Sequence, residues 1–582
     1  MKRHLVVCLA AAAALGPRAA DACGGTFCDT GPQAMPVDQS GENILFVLDG
    51  QTVEAHVQIQ YQGSAERFAW VVPMPDVPDV TVGSQPLFTQ MLGATVPTYA
   101  MQTQNDSCGG GSGGALSFDG GVSGSGGAAG GGGGPQVVFE KTVGAFEVVV
   151  LKGGTATEVV DWLQNNNYQN IPSAPQILGD YVVKNYVFVA IKLTAGAGLD
   201  EIHPLVFKYT GNEPCVPLKL TRVAATEDMA VRAFFLGDDR VVPENYKHLK
   251  LNPVRLNWLS LGQNYKELVS RAADSAVANG KAFVTEYAGS SSVVSSAGVW
   301  SSAWNAAPFQ GITPEKVADE LSKQGLLTCT VGFQCSYGHP LIAGILADYL
   351  PVPPGMQDYD FYGCLSCNAA AIDQAKWNAA EFAAALQTRI IDPAVHAKSL
   401  LDKWPYLTRL YTTISPAEMT EDPIFRAAPG EPAVPAYALA VQRVTCGGKR
   451  GMILPDDRQV ALDGTAWPVW DSTMPWAEDI EEYPPSGGKL TLVDNTAKID
   501  ALLADWNQKH GWPPPGGSGG SDFGGNGTGG TGAGAGGAGG ASASGLQPGG
   551  GGGCGVATGS PLAGLSLLGL GLLALGRRRR LG

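Results

Sequence analysis

Apolar and polar residues alternate over positions 52–61: Val53, Ala55, Val57, Ile59 and Tyr61 interleave with Glu54, His56, Gln58 and Gln60. A period of two predicts a strand with one face toward a core and the other toward water. His56 belongs to the polar set, where a solvated histidine is expected rather than a ligand. Strands are expected across residues 43–73, ending where Pro73, Pro75 and Pro78 withdraw the N–H groups that a ladder needs. Strand-like sequence resumes at 136–151 (QVVFEKTVGAFEVVVL), then at 181–193, 203–210, 216–225 and 229–236, with Gly, Asn, Pro and Asp turns between.

Helical periodicity enters at Thr155 and Glu158, a capping box followed by Val159, Trp162 and Leu163 on one face. From about residue 245 the pattern becomes more helical. Residues 264–278 carry Leu268, Val269 and Ala272 on one face, and Thr313-Pro314 opens another helix with Ile312 stapled to Val317. The Ala-rich stretch 368–388 predicts a long helix beginning just after Cys367. Ser415, Pro416 and Glu418 read as a further capping box, flanked by Ile414 and Met419, and residues 496–509 as a final helix. The expected fold class is therefore α+β, with a β-rich N-terminal part (23–245) and a mostly helical second part (246–512).

Two glycine-rich tracts interrupt this pattern. Residues 109–134 and 516–553 are almost entirely Gly, Ser and Ala, which cannot bury enough apolar surface to offset the entropy of ordering. The first reads as a disordered insertion within the β-rich part. The second, with Pro513–Pro515 before it, reads as a disordered tether over 513–553.

The two ends read as addresses. Lys2 and Arg3 precede an apolar run at 5–15, and Ala20-Asp21-Ala22 places a cleavage site after Ala22, so residues 1–22 are expected to be a secretory signal peptide. Cys23 then becomes the first residue, although Ala20 and Asp21 fit a lipidation motif poorly. At the other end, Cys554 follows five glycines, Pro561–Leu575 is apolar, and Arg577–Arg580 is a basic block. Fifteen apolar residues span about 22 Å as a helix, against a hydrocarbon core of about 30 Å. A single-pass transmembrane anchor is thus thin, and a processed sorting signal over 554–582 is favoured. This tail resembles the Myxo-CTERM class of sorting signals. The resemblance implies cleavage near Cys554 by a membrane protease and display at the cell surface or outer membrane, with lipid on that cysteine as one means of attachment.

Charge narrows the partners. Without residues 1–22 and 554–582 the chain keeps 31 basic and 52 acidic residues, a net charge of −21. That balance excludes nucleic acid, whose phosphates need clustered Lys and Arg. Export machinery, a processing protease and the membrane at the tail are the expected partners, with the ligand undetermined and no cofactor indicated. The exported part holds nine cysteines, for which an oxidising compartment makes disulfides the default. Close spacing nominates Cys23–Cys28, Cys329–Cys335 and Cys364–Cys367.

Signs of chemistry are sparse. Cys364-Leu-Ser-Cys367, before a predicted helix, has the spacing of a thiol–disulfide enzyme, and a helix N-terminus would lower a thiol pKa. No βαβ unit surrounds it, so a structural disulfide is the stronger reading. Zinc on Cys329, Cys335, Cys364 and Cys367 has loose spacing, and no metal site is expected. G-x-S-x-G occurs only inside the glycine tracts, where no strained nucleophile turn can form. His203 and His339 each precede proline and read as structural. Trp467, Trp470 and Trp476 could stack on sugars but more often pack; the acidic run at 477–483 lacks the order of a calcium loop and reads as solvated.

CGGTFC (23–28), FAWVVPMP (68–75), VVDWLQNNNY (159–168), YVVKNYVFVAIKL (181–193) and YLTRLYTTISPAEMTEDPIF (406–425) together resemble the secreted bacterial family called domain of unknown function 2330, over roughly residues 23–450. The resemblance brings no catalytic residues with it. The function expected from sequence is that of an exported, surface-displayed structural or interaction protein without enzymatic activity. An exported oxidoreductase using Cys364 and Cys367 is the alternative, and carbohydrate binding a weaker one.

Overall fold

The alternating segment is the second arm of a hairpin whose turn is made by Gly50, at φ 66°. A computed structural model describes residues 38–512 except 63–68, 107–134, 167–173, 195–196, 199–200, 212–213, 223–224, 331 and 487. The addresses at either end, the glycine tracts, and Ala22, Cys23, Cys28 and Cys554 therefore lie outside the described residues.

In chain order the strands begin with β1 (Asp38–Asp49), β2 (Thr52–Gln62), β3 (Ala69–Met74), β4 (Asp79–Val82), β5 (Thr98–Asn105), β6 (Gln136–Val143) and β7 (Phe146–Lys152). Next come β8 (Val187–Leu193), β9 (Leu205–Thr210), β10 (Ala225–Gly237), β11 (Val241–Pro243), β12 (Lys247–Leu251), β13 (Ala282–Ser290), β14 (Leu327–Thr328) and β15 (Ser336–Tyr337). The last are β16 (Tyr406–Ile414), β17 (Phe425–Ala427), β18 (Tyr437–Val444), β19 (Arg450–Ile453), β20 (Gln459–Ala461), β21 (Ala477–Glu482) and β22 (Leu490–Asp494). The helices are α1 (Gln85–Thr95), α2 (Ala156–Asn165), α3 (Ala174–Val182), α4 (Leu218–Thr221), α5 (Tyr265–Ala273) and α6 (Val317–Lys323). They continue with α7 (Ile342–Tyr349), α8 (Asp358–Tyr362), α9 (Ala379–Leu386), α10 (Asp392–Lys403) and α11 (Thr496–His510).

The fold is α+β, as its sequence pattern predicts. Ten strands form one mixed sheet in the order β22-β21-β12-β13-β16-β10-β1-β2-β9-β4. Five of them come from before residue 245 and five from after it, so the boundary expected at 245/246 falls inside a single sheet. A four-stranded sheet, β3-β8-β7-β6, stacks on one face of the β1–β2–β9 region. Ile44, Phe46, Val53, Ala55, Val57 and Phe207 meet Trp70, Val72, Val148 and Val189 there in one buried cluster. The outer face of the small sheet is closed by α2 and α3 through Trp162, Leu163, Ile177 and Leu178.

The other face of the large sheet is closed as well. Leu45, Val47, Phe234 and Leu236 pack against Leu87, Phe88 and Met91 of α1 and against Ala397 and Leu400 of α10. The polar set of β2 lies on this covered side: His56 is 1% exposed, Glu54 6% and Gln58 8%. The expectation of a solvated His56 is thus corrected. Alternation records which residues share a face; whether a helix from 340 residues later lies over it is a tertiary matter.

Local signals are realised in part. Thr155 and Glu158 form the full capping box of α2, each side chain bonded to the other residue's backbone. At Ser415 the box is half built: Glu418 Oε2 accepts the Ser415 N–H at 2.8 Å, but the Ser415 hydroxyl accepts the N–H of Asp228 instead. Only a turn follows. The long helix expected over 368–388 is also corrected. A single 3-10 turn at Ala369–Ala371 is followed by a turn at Asp373, and α9 begins at Ala379. Asn378 explains the late start, because its side chain accepts the N–H groups of Ala380 and Glu381 as an N-cap. Of the segments read as strand, 181–182 is the end of α3 and 218–221 is α4.

Candidate functional site

Between the two stacked sheets the side chains leave a cavity of about 430 Å³. The facing strands line it with apolar side chains, Ile44, Phe46, Val57, Trp70, Val72 and Phe207, and the rest of its wall is polar, with Lys184, Lys219, Glu421 and Asp422. An apolar wall facing polar groups that can fix a guest's orientation is a composition found in ligand sites. Tyr181 donates to Asp422 Oδ1 at 3.1 Å, and the backbone N–H of Lys219 reaches the same oxygen at 2.9 Å. Cys215 sits beside them on the cavity wall.

Glu42 adds a polar group on the strand side of the lining, away from Lys184, Asn245 and Glu421. It lies on the inward face of β1 between Val231 of β10 and Ile59 of β2 in the ladder, and is 1% exposed. Its Oε2 has no hydrogen-bond partner. Burial pushes its carboxyl up to about 7. Among the apolar side chains of the facing strands, a carboxyl that titrates near neutrality can receive a hydrogen bond from, donate one to, or neutralise one polar end of a guest.

On the opposite face of the same strands three potential metal ligands converge. Glu54 Oε1 lies 2.7 Å from His56 Nε2 and 2.5 Å from His396 Nε2. The two imidazoles stack at 5.8 Å between centroids with an interplanar angle of 3°. Lys208 Nζ approaches the other carboxylate oxygen at 3.7 Å. Burial raises the Glu54 carboxyl, but the bonds from His396 and His56 outweigh it and hold the group well below the usual carboxylate range. Burial lowers His56, with Glu54 opposing. His396 carried no signal in the sequence, and His56 was placed with the solvated face.

The sequence candidates are distributed as follows. Cys364 is bonded to Cys367 and Cys329 to Cys335. Both pairs are oxidised, which removes the four thiolates that a zinc reading requires. The second pair closes the β14–β15 hairpin, and both pairs flank one cluster of buried residues built from α6 to α9. Cys364 does not sit at a helix N-terminus; Cys367 is exposed at the end of a turn, and its N–H meets Cys364 Sγ at 3.2 Å. Cys446 is also disulfide-bonded. His203 Nδ1 donates to the Pro204 carbonyl at 2.9 Å and its Nε2 accepts the Ala145 N–H at 3.3 Å, and burial drops both it and His339 to about 3. The tryptophans pack: the indoles of Trp467 and Trp470 both donate to the Val254 carbonyl, and Arg255 lies 3.9 Å over the Trp476 ring. The acidic run is corrected from solvated to paired. It forms β21, where Glu478 meets Arg458 at 2.8 Å and Glu481 meets His248 at 3.0 Å.

No helix among the described residues is long and apolar enough to cross a membrane. No curated protein matches the chain, and no solved structure does. One family model does match, described as an uncharacterized protein conserved in bacteria, over residues 17–426. That match covers most of the chain and includes β1, β2 and β9, the cavity between the sheets and all three residues of the Glu54 cluster, and the protein therefore belongs to the DUF2330 family.

Proposed function

We propose that this chain is an exported protein, held at the cell surface by its C-terminal segment, that binds a small and largely apolar molecule and does not catalyse its conversion. The observation that carries the binding reading is the cavity between the sheets, about 430 Å³ in volume, with the buried Glu42 carboxyl facing it. A guest with one amine or hydroxyl end would bury its apolar body against Phe46, Trp70 and Phe207 and pair that end with Glu42. Export is supported by the signal-like residues 1–22, by the disulfide pairs, and by the Cys554–Arg580 pattern, which also supports a Myxo-CTERM type of processing. The acidic exterior supports partners other than nucleic acid. The working partners are then the export machinery, a processing protease and the membrane.

Trp70 makes the binding test direct, because a dansyl-labelled alkylamine in the cavity would accept its excitation energy. Saturable transfer is expected, weakened in Glu42→Leu and abolished when Val72→Trp fills the space. Transfer that survives the filled cavity would remove the binding reading. Intact mass of the protein from cells tests export separately. Mature ends at Cys23 and near Cys554 are expected, and an unprocessed chain would contradict the surface assignment. The oxidoreductase alternative rests on the exposed Cys364–Cys367 disulfide. It requires that this pair be reduced and reoxidised in turnover, which a disulfide-reductase assay with Cys364→Ser decides.

A further inference from the structure

The cavity is on one face of the large sheet; the Glu54 cluster is on the other and has its own chemistry. We propose that Glu54, His56 and His396 form a binding site for a divalent transition-metal ion, with zinc the best match.

Two imidazoles and one carboxylate are the protein ligand set of open zinc sites, in which water completes a tetrahedron. Here both Nε2 atoms reach the same oxygen, at 2.7 Å for His56 and 2.5 Å for His396. Such contacts need both Nε2 atoms protonated and donating, so the two N–H protons mark the space that a cation would fill. When a metal binds, each neutral imidazole keeps its one proton by moving it from Nε2 to Nδ1, and the ion takes the place of the two Nε2 protons. Zinc lies about 2.0–2.2 Å from N and O ligands, which sets tetrahedral neighbours about 3.3 Å apart, so each contact opens by about 0.7 Å. Rotation of exposed or loosely held side chains supplies that movement. His396 has it, since its side chain is 41% exposed while that of His56 is 2%.

Position adds to the argument. Glu54 and His56 are two residues apart on one strand, so they project from the same face. His396 descends on them from α10. The site has a buried floor and a half-open roof, so an ion can reach it from solvent. Lys208 holds Glu54 Oε2 at 3.7 Å and leaves Oε1 to the imidazoles. Hard cations such as calcium take six or more oxygens and are not served by two imidazoles.

The test is a cobalt(II) titration of the purified full chain, prepared without a histidine tag, followed by displacement with zinc. Expected are one equivalent of cobalt, the intense visible bands of a low-coordinate ion, and their loss on adding zinc but not calcium. His396→Ala should weaken zinc binding by about 100-fold or more, since loss even of an outer partner of a zinc ligand costs about 10–100-fold. His510→Ala should match the unsubstituted chain. Circular dichroism of each variant checks the fold, and proton NMR of the unsubstituted cobalt form should show two shifted imidazole N–H signals whatever the variants do. Absence of cobalt binding, or His396→Ala binding zinc like the original chain, would overturn the site.

Discussion

Replacing Glu42 by glutamine should make the protein more stable, and only above mildly acidic pH. The carboxyl is enclosed by β2, β10 and the cavity, its Oε2 has no partner, and burial alone moves it from 4.5 to about 7. The folded state thus prefers the protonated acid. Its contribution is intact below about pH 4.5 and is lost as pH rises toward about 7, because the folded chain then holds a proton that the unfolded chain has released. A difference of two to three pKa units, at 1.36 kcal/mol each, amounts to about 3 kcal/mol at full loss. Glutamine keeps the shape and cannot ionise. The variant and the original should therefore unfold at similar urea concentrations near pH 4.5 and diverge progressively, with the variant ahead by about 3 kcal/mol at about pH 8. Urea midpoints across this range, read by tryptophan fluorescence, give the two curves. Parallel curves, or a glutamine variant that is the weaker one at about pH 8, would mean that Glu42 is charged and partnered in the fold. An amine guest offers such a partner, so its presence should flatten the original's pH dependence.

Other expectations follow from single contacts. Arg389 is buried where the helix between α9 and α10 widens into a π-turn, and it meets Glu201 at 2.8 Å and Asp348 at 3.1 Å; Arg389→Ala should cost about 3–5 kcal/mol by stranding the buried Glu201 charge, and a loss under about 1 kcal/mol in urea unfolding would contradict that. Peptide mapping without reduction should recover Cys329 linked to Cys335 and Cys364 linked to Cys367, and the Cys329→Ser/Cys335→Ser chain should lose about 2 kcal/mol, the closure entropy of a short loop. Trp470→Ala should lower stability by about 3 kcal/mol and leave glycan-array signals at background, because the indole serves the Val254 carbonyl and packs against Trp506; a specific glycan signal lost in that variant would restore the sugar-binding reading.

Legibility along this chain depended on the range of the interaction involved. The capping box at Thr155 and Glu158 was readable because four consecutive residues contain all of it. The same motif at Ser415 misled, since the hydroxyl turned to Asp228, 187 positions away. Two of the three residues of the Glu54 cluster were in plain view in the alternation of β2. The third was not, because His396 is 340 residues from His56 and nothing in the spacing of either announces the other. The cavity left no trace in the pattern: Glu42 lies on the apolar face of β1 among Ile44 and Phe46, so its carboxyl reads as an isolated break until the second sheet is laid over it.

Sequence alone was enough for the α+β class, for the strands with period two, for the cysteine pairs 329–335 and 364–367 and for membership in a family recognised through its phrases. These rest on interactions among residues a few positions apart, which the local order of side chains decides. Only the tertiary structure determined that strands from both halves share one sheet, that the polar face of β2 is roofed by α10, and that a buried acid borders a cavity. Each of those is a question of which distant surface covers which, and that is settled by how much apolar area can be removed from water at once, a sum over the whole chain and not a property of any stretch of it.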